Sequence, residues 1–127
     1  MAAVSKKDGF PVARFSNSNA QVDYAGIGVD VVSFKPGGGV QNMSGTSMAS
    51  PHVAGLIAAL MTDGRIKPVK GDAKANYLRK ILNESHAIDI AAEGRDNATG
   101  VGFLSYLDER EFDKLLPRKN LSNAKVM

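Results

Sequence analysis

Short extended stretches separated by glycine and charged turns occupy the front of the chain, and a long apolar run follows them. Ala2 to Val4 reads as a short strand, Lys6-Lys7-Asp8-Gly9 as a turn, and Val12-Ala13-Arg14-Phe15 as a second extended piece with alternating character. Val22 to Phe34 contains Gly26 and Gly28 and then a β-branched run, Val29 to Phe34. This predicts a strand that runs into a flexible loop at Lys35-Pro36-Gly37-Gly38-Gly39. From Ser47 to Met61, alanine and large aliphatic residues fall on every side of a helical projection, the pattern of a central helix buried all round. Pro51 fits near the start of that helix, because first-turn amides have no intrahelical acceptor to lose. Thr62-Asp63-Gly64 then ends it.

A second helix follows, with Asp72 as a candidate cap and Tyr77, Leu78, Ile81 and Leu82 at helical spacing, while Lys74, Arg79 and Lys80 turn outward. Glu93 to Gly102 is polar and turn-rich. Val101-Gly102-Phe103-Leu104 leads into a charged stretch, Asp108 to Lys119, that predicts a last helix around Phe112, Leu115 and Leu116, stopped at Pro117. Strands alternating with helices predict an α/β architecture. We divide the chain into residues 1–107 as the globular portion and 108–127 as a charged helix and tail.

A chain of 127 residues is long enough to bury about two-thirds of its unfolded surface in one core. Sixteen basic and 13 acidic residues leave a formal charge of +3, an excess that asks for no anionic partner. Without cysteine, disulfides and thiolate metal sites are excluded, yet no compartment is assigned, because exported bacterial enzymes can also lack cysteine. The first residues show no apolar core of signal-peptide length. The longest apolar stretch, Val53 to Met61, is far below the roughly 20 residues needed to cross a bilayer.

The chemistry concentrates in Met43-Ser44-Gly45-Thr46-Ser47-Met48-Ala49-Ser50-Pro51-His52-Val53-Ala54-Gly55. A serine at a helix start has its own N–H, and those just after it, without internal partners at the positive end of the helix dipole, a place that favours a developing oxyanion. Gly45 permits a tight loop and close approach of a substrate. On helix-start chemistry alone, the simpler reading makes Ser47 an N-cap.

The stretch from Gly45 to Gly55 resembles, without a gap, the nucleophile motif of the subtilisin-like serine proteases. Upstream, Ala13-Arg14-Phe15-Ser16-Asn17 resembles the family's strand ending in Phe-Ser-Asn, and Val22 to Phe34 its glycine-containing strand. Downstream, Asp72 to Glu84 falls where the family has a surface helix, and Gly100 to Leu104 resembles its late Gly-x-Gly turn. Ile27 departs from the pattern, standing where the family usually has proline before Gly28. The resemblance reaches to about Tyr106. It implies the rear part of a three-layer αβα fold with a mostly parallel sheet and a buried central helix that starts at the nucleophile. It also implies peptide-bond hydrolysis through an acyl-enzyme on Ser47, with the Ser47 backbone N–H as one oxyanion donor and peptides or proteins as substrates.

In that family the triad runs Asp, then His, then Ser along the chain. The residues before Ser47 contain no histidine, and a serine hydroxyl without a base is a weak nucleophile. The resemblance therefore implies a serine endopeptidase segment, inactive alone, whose partner is the missing N-terminal half of the protease domain or a second copy of itself. The alternative is a non-catalytic binding or structural module that reuses the fold. His52 lies about 140° round the helix from Ser47 and is expected to be a packed, structural residue. His86 is expected to be solvent-exposed.

Arg65, Lys67, Lys70, Lys74, Arg79 and Lys80 form a basic run, but Tyr77 is its one aromatic and belongs to an apolar helix face. A solvated surface is favoured over nucleic-acid binding. Gly37-Gly38-Gly39 lacks the Gly-Lys-Ser/Thr of a phosphate loop. Asp108, Glu109, Glu111 and Asp113 alternate with Arg110 and Lys114 and lack calcium-loop spacing, so an ion-paired helix is expected. No cofactor or metal site and no membrane contact is read from the sequence.

Overall fold

The computed structural model describes residues 1–67 and 69–116. Among the described residues six strands, three α-helices and one π-helical turn follow one another: β1 (Ala2–Val4), β2 (Ala25–Ile27), β3 (Val31–Phe34), β4 (Val40–Met43), α1 (Thr46–Thr62), α2 (Ala73–Ile81), the π-turn (Leu82–His86), β5 (Ala87–Ile88), β6 (Phe103–Leu104) and α3 (Glu109–Leu115). The main sheet has the order β1-β2-β6-β5. Its first three strands are parallel, and β5 runs antiparallel to β6. The fold is α/β with a mostly parallel sheet. The expected stop of the last helix at Pro117 lies outside the described residues.

Ala2, Ala3 and Val4 are fully buried, as befits a parallel strand covered on both faces. Alternate side chains serve different cores. Ala2, Val4, Ala25, Ile88 and Phe103 join Phe112 of α3 on one face of the sheet, where Phe10 stacks on Phe103 with ring centroids 4.7 Å apart. Tyr24 and Leu104 point to the opposite face and pack with Val53 and Leu60 of α1 and with Leu82. Tyr77, Leu78 and Ile81 of α2 line that second core, as their helical spacing predicts. Three layers result, with α1 and α2 on one side and α3 on the other.

Several local expectations are corrected. The Val22–Phe34 stretch is two strands, broken where Asp30 takes a left-handed backbone, φ 51°. Beyond the break, β3 leaves the main sheet and pairs antiparallel with β4, Phe34 facing Val40. Of the Val12–Phe15 piece, only Val12 makes a bridge, to Val4. There Ala13 N–H donates to Ala3 O and Ser5 N–H to Pro11 O, so this segment covers the free edge of β1. Asp72 occupies the N-cap of α2 but its carboxylate caps nothing. Asp108 does cap α3, in a reciprocal box with Glu111.

The largest correction concerns α1. Ala49, Val53 and Leu60 are buried, and Leu56, Ile57 and Met61 are half-buried, but Ser47, Ser50, Pro51, His52, Ala54, Gly55, Ala58, Ala59 and Thr62 are exposed. At 3.6 residues per turn these nine span an arc of about 200°. No Asp, Glu, Lys or Arg lies on it. The sequence pattern is that of a helix buried all round, and among the described residues one side of it has no cover.

Candidate functional site

The segment from Gly28 to Ala49 builds a clamp around the start of α1. Gly28 N–H donates to Val4 O at 3.0 Å, and Gly28 O in turn accepts from Gly45 N–H at 2.7 Å, which fixes the helix start to the end of β1. Ser44 Oγ accepts from Asp30 N–H at 2.9 Å and so holds the left-handed turn that separates β2 from β3. A Cβ on Gly28 would stand 2.6 Å from Gly45 O and 2.7 Å from Ala3 Cβ, and one on Gly26 would stand 2.9 Å from Val53 Cγ2 and 3.0 Å from Ala49 O. Small residues at these two positions let α1 lie directly on the sheet.

Gly45 is the N-cap of α1, and its carbonyl accepts from Met48 N–H at 3.0 Å and Ala49 N–H at 3.3 Å. Ser47 is thus the second residue of the helix, not its cap, and its side chain is exposed and caps no backbone group. The N-cap reading of Ser47 fails on this geometry. The Thr46 and Ser47 amides belong to the first turn, where no intrahelical carbonyl reaches them. They point out of the positive end of a 17-residue helix. An anion or a developing oxyanion beside Ser47 meets unpaired N–H donors and the dipole together.

Neither histidine joins Ser47. His52 is exposed, not packed, and its Nδ1 lies 3.1 Å from Met48 O, a bond back to its own helix. It sits on the uncovered side of α1, which is why the expected packing is missing. His86 is buried, contrary to expectation, with Nδ1 3.1 Å from Ser105 O, while Ser105 N–H donates to His86 O. The next residue, Tyr106, donates its hydroxyl to Asp63, the C-cap of α1. His86 is thus tied, through the Ser105–Tyr106 segment, toward the end of α1 opposite Ser47, a helix about 24 Å long from Ser47 to Asp63 at 1.5 Å per residue.

That far end holds the strongest charge network. Arg65 donates to both oxygens of Glu111, at 2.7 and 3.1 Å, and lies 4.7 Å from the centre of the Tyr106 ring. The hydrogen bonds from Arg65, joined by the Asp108 backbone N–H, pull the Glu111 carboxyl down to about 2. The hydrogen bond to Asp63 raises the Tyr106 hydroxyl above its ordinary value. Arg79 pairs with Asp23 at 3.4 Å. Two members of the basic run, Arg65 and Arg79, are held in ion pairs. Among the described residues, no group of three or more His, Asp or Glu is arranged to hold a metal ion, and no helix is long and apolar enough to cross a membrane.

The sequence reading missed Ser44 as a loop anchor. Its partner amide is 14 residues away, and no local pattern announces such a bond.

Residues 11–102 match the sequence profile of the Subtilase family. The chain belongs to that family. This subtilase chain is 54% identical over 99 residues to Subtilisin-like protease 6 of Trichophyton verrucosum, an alignment covering 78% of the chain and 22% of the relative. It is 48% identical over 71 residues to Subtilisin-like protease 1 of Arthroderma otae, covering 56% of the chain and 14% of the relative. Among solved structures, S41 Psychrophilic Protease superposes with a TM-score of 0.66 at 27% identity, covering 82% of this chain and 38% of that one. Sphericase gives 0.61 at 27% identity, covering 81% and 38%. The chain thus spans about a fifth of the first relative and well under half of either solved neighbour.

Proposed function

We propose that this chain is a segment of a subtilisin-like serine endopeptidase, with Ser47 as the nucleophile and peptides or proteins as substrates. In this reading Ser47 Oγ attacks the scissile carbonyl carbon, its proton passes to a base, and the peptide C–N bond breaks as that base returns the proton to the leaving amine, giving an acyl-enzyme that water hydrolyses to release the acid and regenerate the serine. The Ser47 backbone N–H is one donor to the tetrahedral oxyanion. The observation that carries the reading is the exposed Ser47 on the first turn of α1, in a loop held by the Gly45–Gly28 hydrogen bond.

Among the described residues neither histidine is bonded to Ser47, His52 Nδ1 lying against Met48 O and His86 Nδ1 against Ser105 O, so in this reading the base comes from outside this chain. A second stretch of polypeptide supplies it, together with an orienting carboxylate and another oxyanion donor. The uncovered side of α1 supports this. It is uncharged, rich in Ala and Gly, and begins at Ser47, so a partner laid against it would bring its groups beside the hydroxyl. Much of each matched relative lies outside the aligned portion and provides the kind of chain that would cover it.

The test is labelling by a fluorophosphonate probe, with Ser47→Ala as control. The chain alone is expected to stay unlabelled, and labelling is expected once the preceding part of a related subtilase domain is supplied. Labelling of the chain alone that vanishes in Ser47→Ala would show that it assembles its own base. A folded complex that never labels would favour a non-catalytic module that reuses the fold.

A further inference from the structure

Away from Ser47, the loop between β5 and β6 carries the triplet Asn97-Ala98-Thr99, the acceptor pattern for N-linked glycans. Two other such triplets occur among the described residues, Asn42-Met43-Ser44 and Asn83-Glu84-Ser85, and the fold separates the three. The Asn83 carboxamide is engaged, its Oδ1 accepting from Tyr24 Oη at 2.6 Å. Asn42 is within β4, opposite Val32 in the hairpin, and Ser44 of its triplet holds the turn at Asp30. Asn97 alone stands in a loop.

That loop is built so that the Asn97 side chain has no structural duty. Asp96 and Gly100 exchange two backbone hydrogen bonds of 3.0 Å, closing the turn. Asp96 Oδ1 accepts from Ala98 N–H at 2.6 Å and Thr99 N–H at 2.8 Å, and Asp96 Oδ2 accepts from Thr99 Oγ1 at 2.8 Å. The Asn97 backbone carbonyl accepts from Asn19 N–H at 2.9 Å. Asn97 itself is exposed, and its carboxamide makes no hydrogen bond among the described residues, so a sugar on Nδ2 displaces nothing.

We propose that Asn97 is an N-glycosylation site, modified when the chain passes through a secretory lumen. Nδ2 displaces the diphosphate from C1 of a polyprenyl-diphosphate-linked oligosaccharide. A C–N bond forms, the C1–O bond to the diphosphate breaks, and one amide proton is lost to the base of the transferase. The backbone order around the site comes from Asp96 and Gly100, so the folded loop carries the glycan without rearranging.

The test is expression of the full chain behind a lumen-directing leader in a yeast host, followed by peptide N-glycosidase digestion and peptide mapping. Conversion of Asn97 to aspartate by the glycosidase is the expected result. The glycan at this site is expected to be lost in Asn97→Gln and Thr99→Ala and retained in Thr99→Ser, which keeps the hydroxyl at the third position. Mapping needs only the covalent chain, so a variant that folds poorly is still read. An unmodified Asn97, whether the chain is bare or carries sugar only on Asn42 or Asn83, would overturn the proposal.

Discussion

Gly28 and Gly45 meet backbone to backbone: the Gly45 N–H donates to Gly28 O at 2.7 Å, and there is no room at Gly28 for even a methyl group. The contact couples the end of the parallel strands to the loop that presents Ser47. A methyl at Gly28 would press on a carbonyl oxygen and on Ala3 Cβ, neither of which is the movable end of a long side chain. Gly28→Ala is therefore expected to destabilise the fold by about 1 to 3 kcal/mol, as overpacking does. Urea denaturation against the parent chain would measure it, and an unchanged midpoint would show that the clamp yields.

Ser47 is expected to behave oppositely. A serine that caps a helix loses about 1 kcal/mol on replacement by alanine. Ser47 is exposed, second in the helix and caps nothing, so Ser47→Ala should fall within about 0.5 kcal/mol of the parent. If the same variant abolishes probe labelling in the complemented protein, the loss is chemical and not structural. A destabilisation near that of a lost cap would instead revive the capping role.

How much of this was legible in the sequence depended on the range of the deciding contact. β1, α1 and α2 were readable because their apolar patterns repeat within a few residues, and the Gly45–Gly55 motif was readable as a contiguous run. The break at Asp30 was not, since it is held by Ser44 from across a hairpin. The burial of His86 was not, since it is fixed by Ser105, 19 residues on. The open side of α1 defeated the pattern in another way. Its residues are those of a covered helix, yet among the described residues nothing covers them.

The pairing of Arg65 with Glu111 predicts a dependence on acid. Glu111 is held at about 2 in the folded chain, chiefly by its hydrogen bonds from Arg65, against an ordinary 4.5. A depressed carboxyl contributes stability above its unfolded value, and that contribution is lost as the pH falls through the folded one. The destabilisation caused by Glu111→Gln should thus be full at pH 6 and shrink progressively between about 4.5 and 2. Because the pair is solvent-accessible, salt should reduce it as well. A mutant-to-parent difference constant from pH 6 to pH 2.5 would count against the pair.

Gly55 separates the chain by itself from the chain in an assembly. It lies in the middle of α1 on the uncovered side, and a Cβ there meets nothing within 4 Å. In an exposed helix interior, alanine is favoured over glycine by about 1 kcal/mol, so Gly55→Ala is expected to stabilise the isolated chain. If a complementary polypeptide closes on this side, the same methyl stands in the interface between Ala54, Ala58 and Ala59, where close approach depends on small residues. Association with the complementing segment should then weaken several-fold while the stability of the chain alone rises. Opposite signs in denaturation and binding assays would place the partner on this side of α1, whereas equal binding by parent and variant would place it elsewhere.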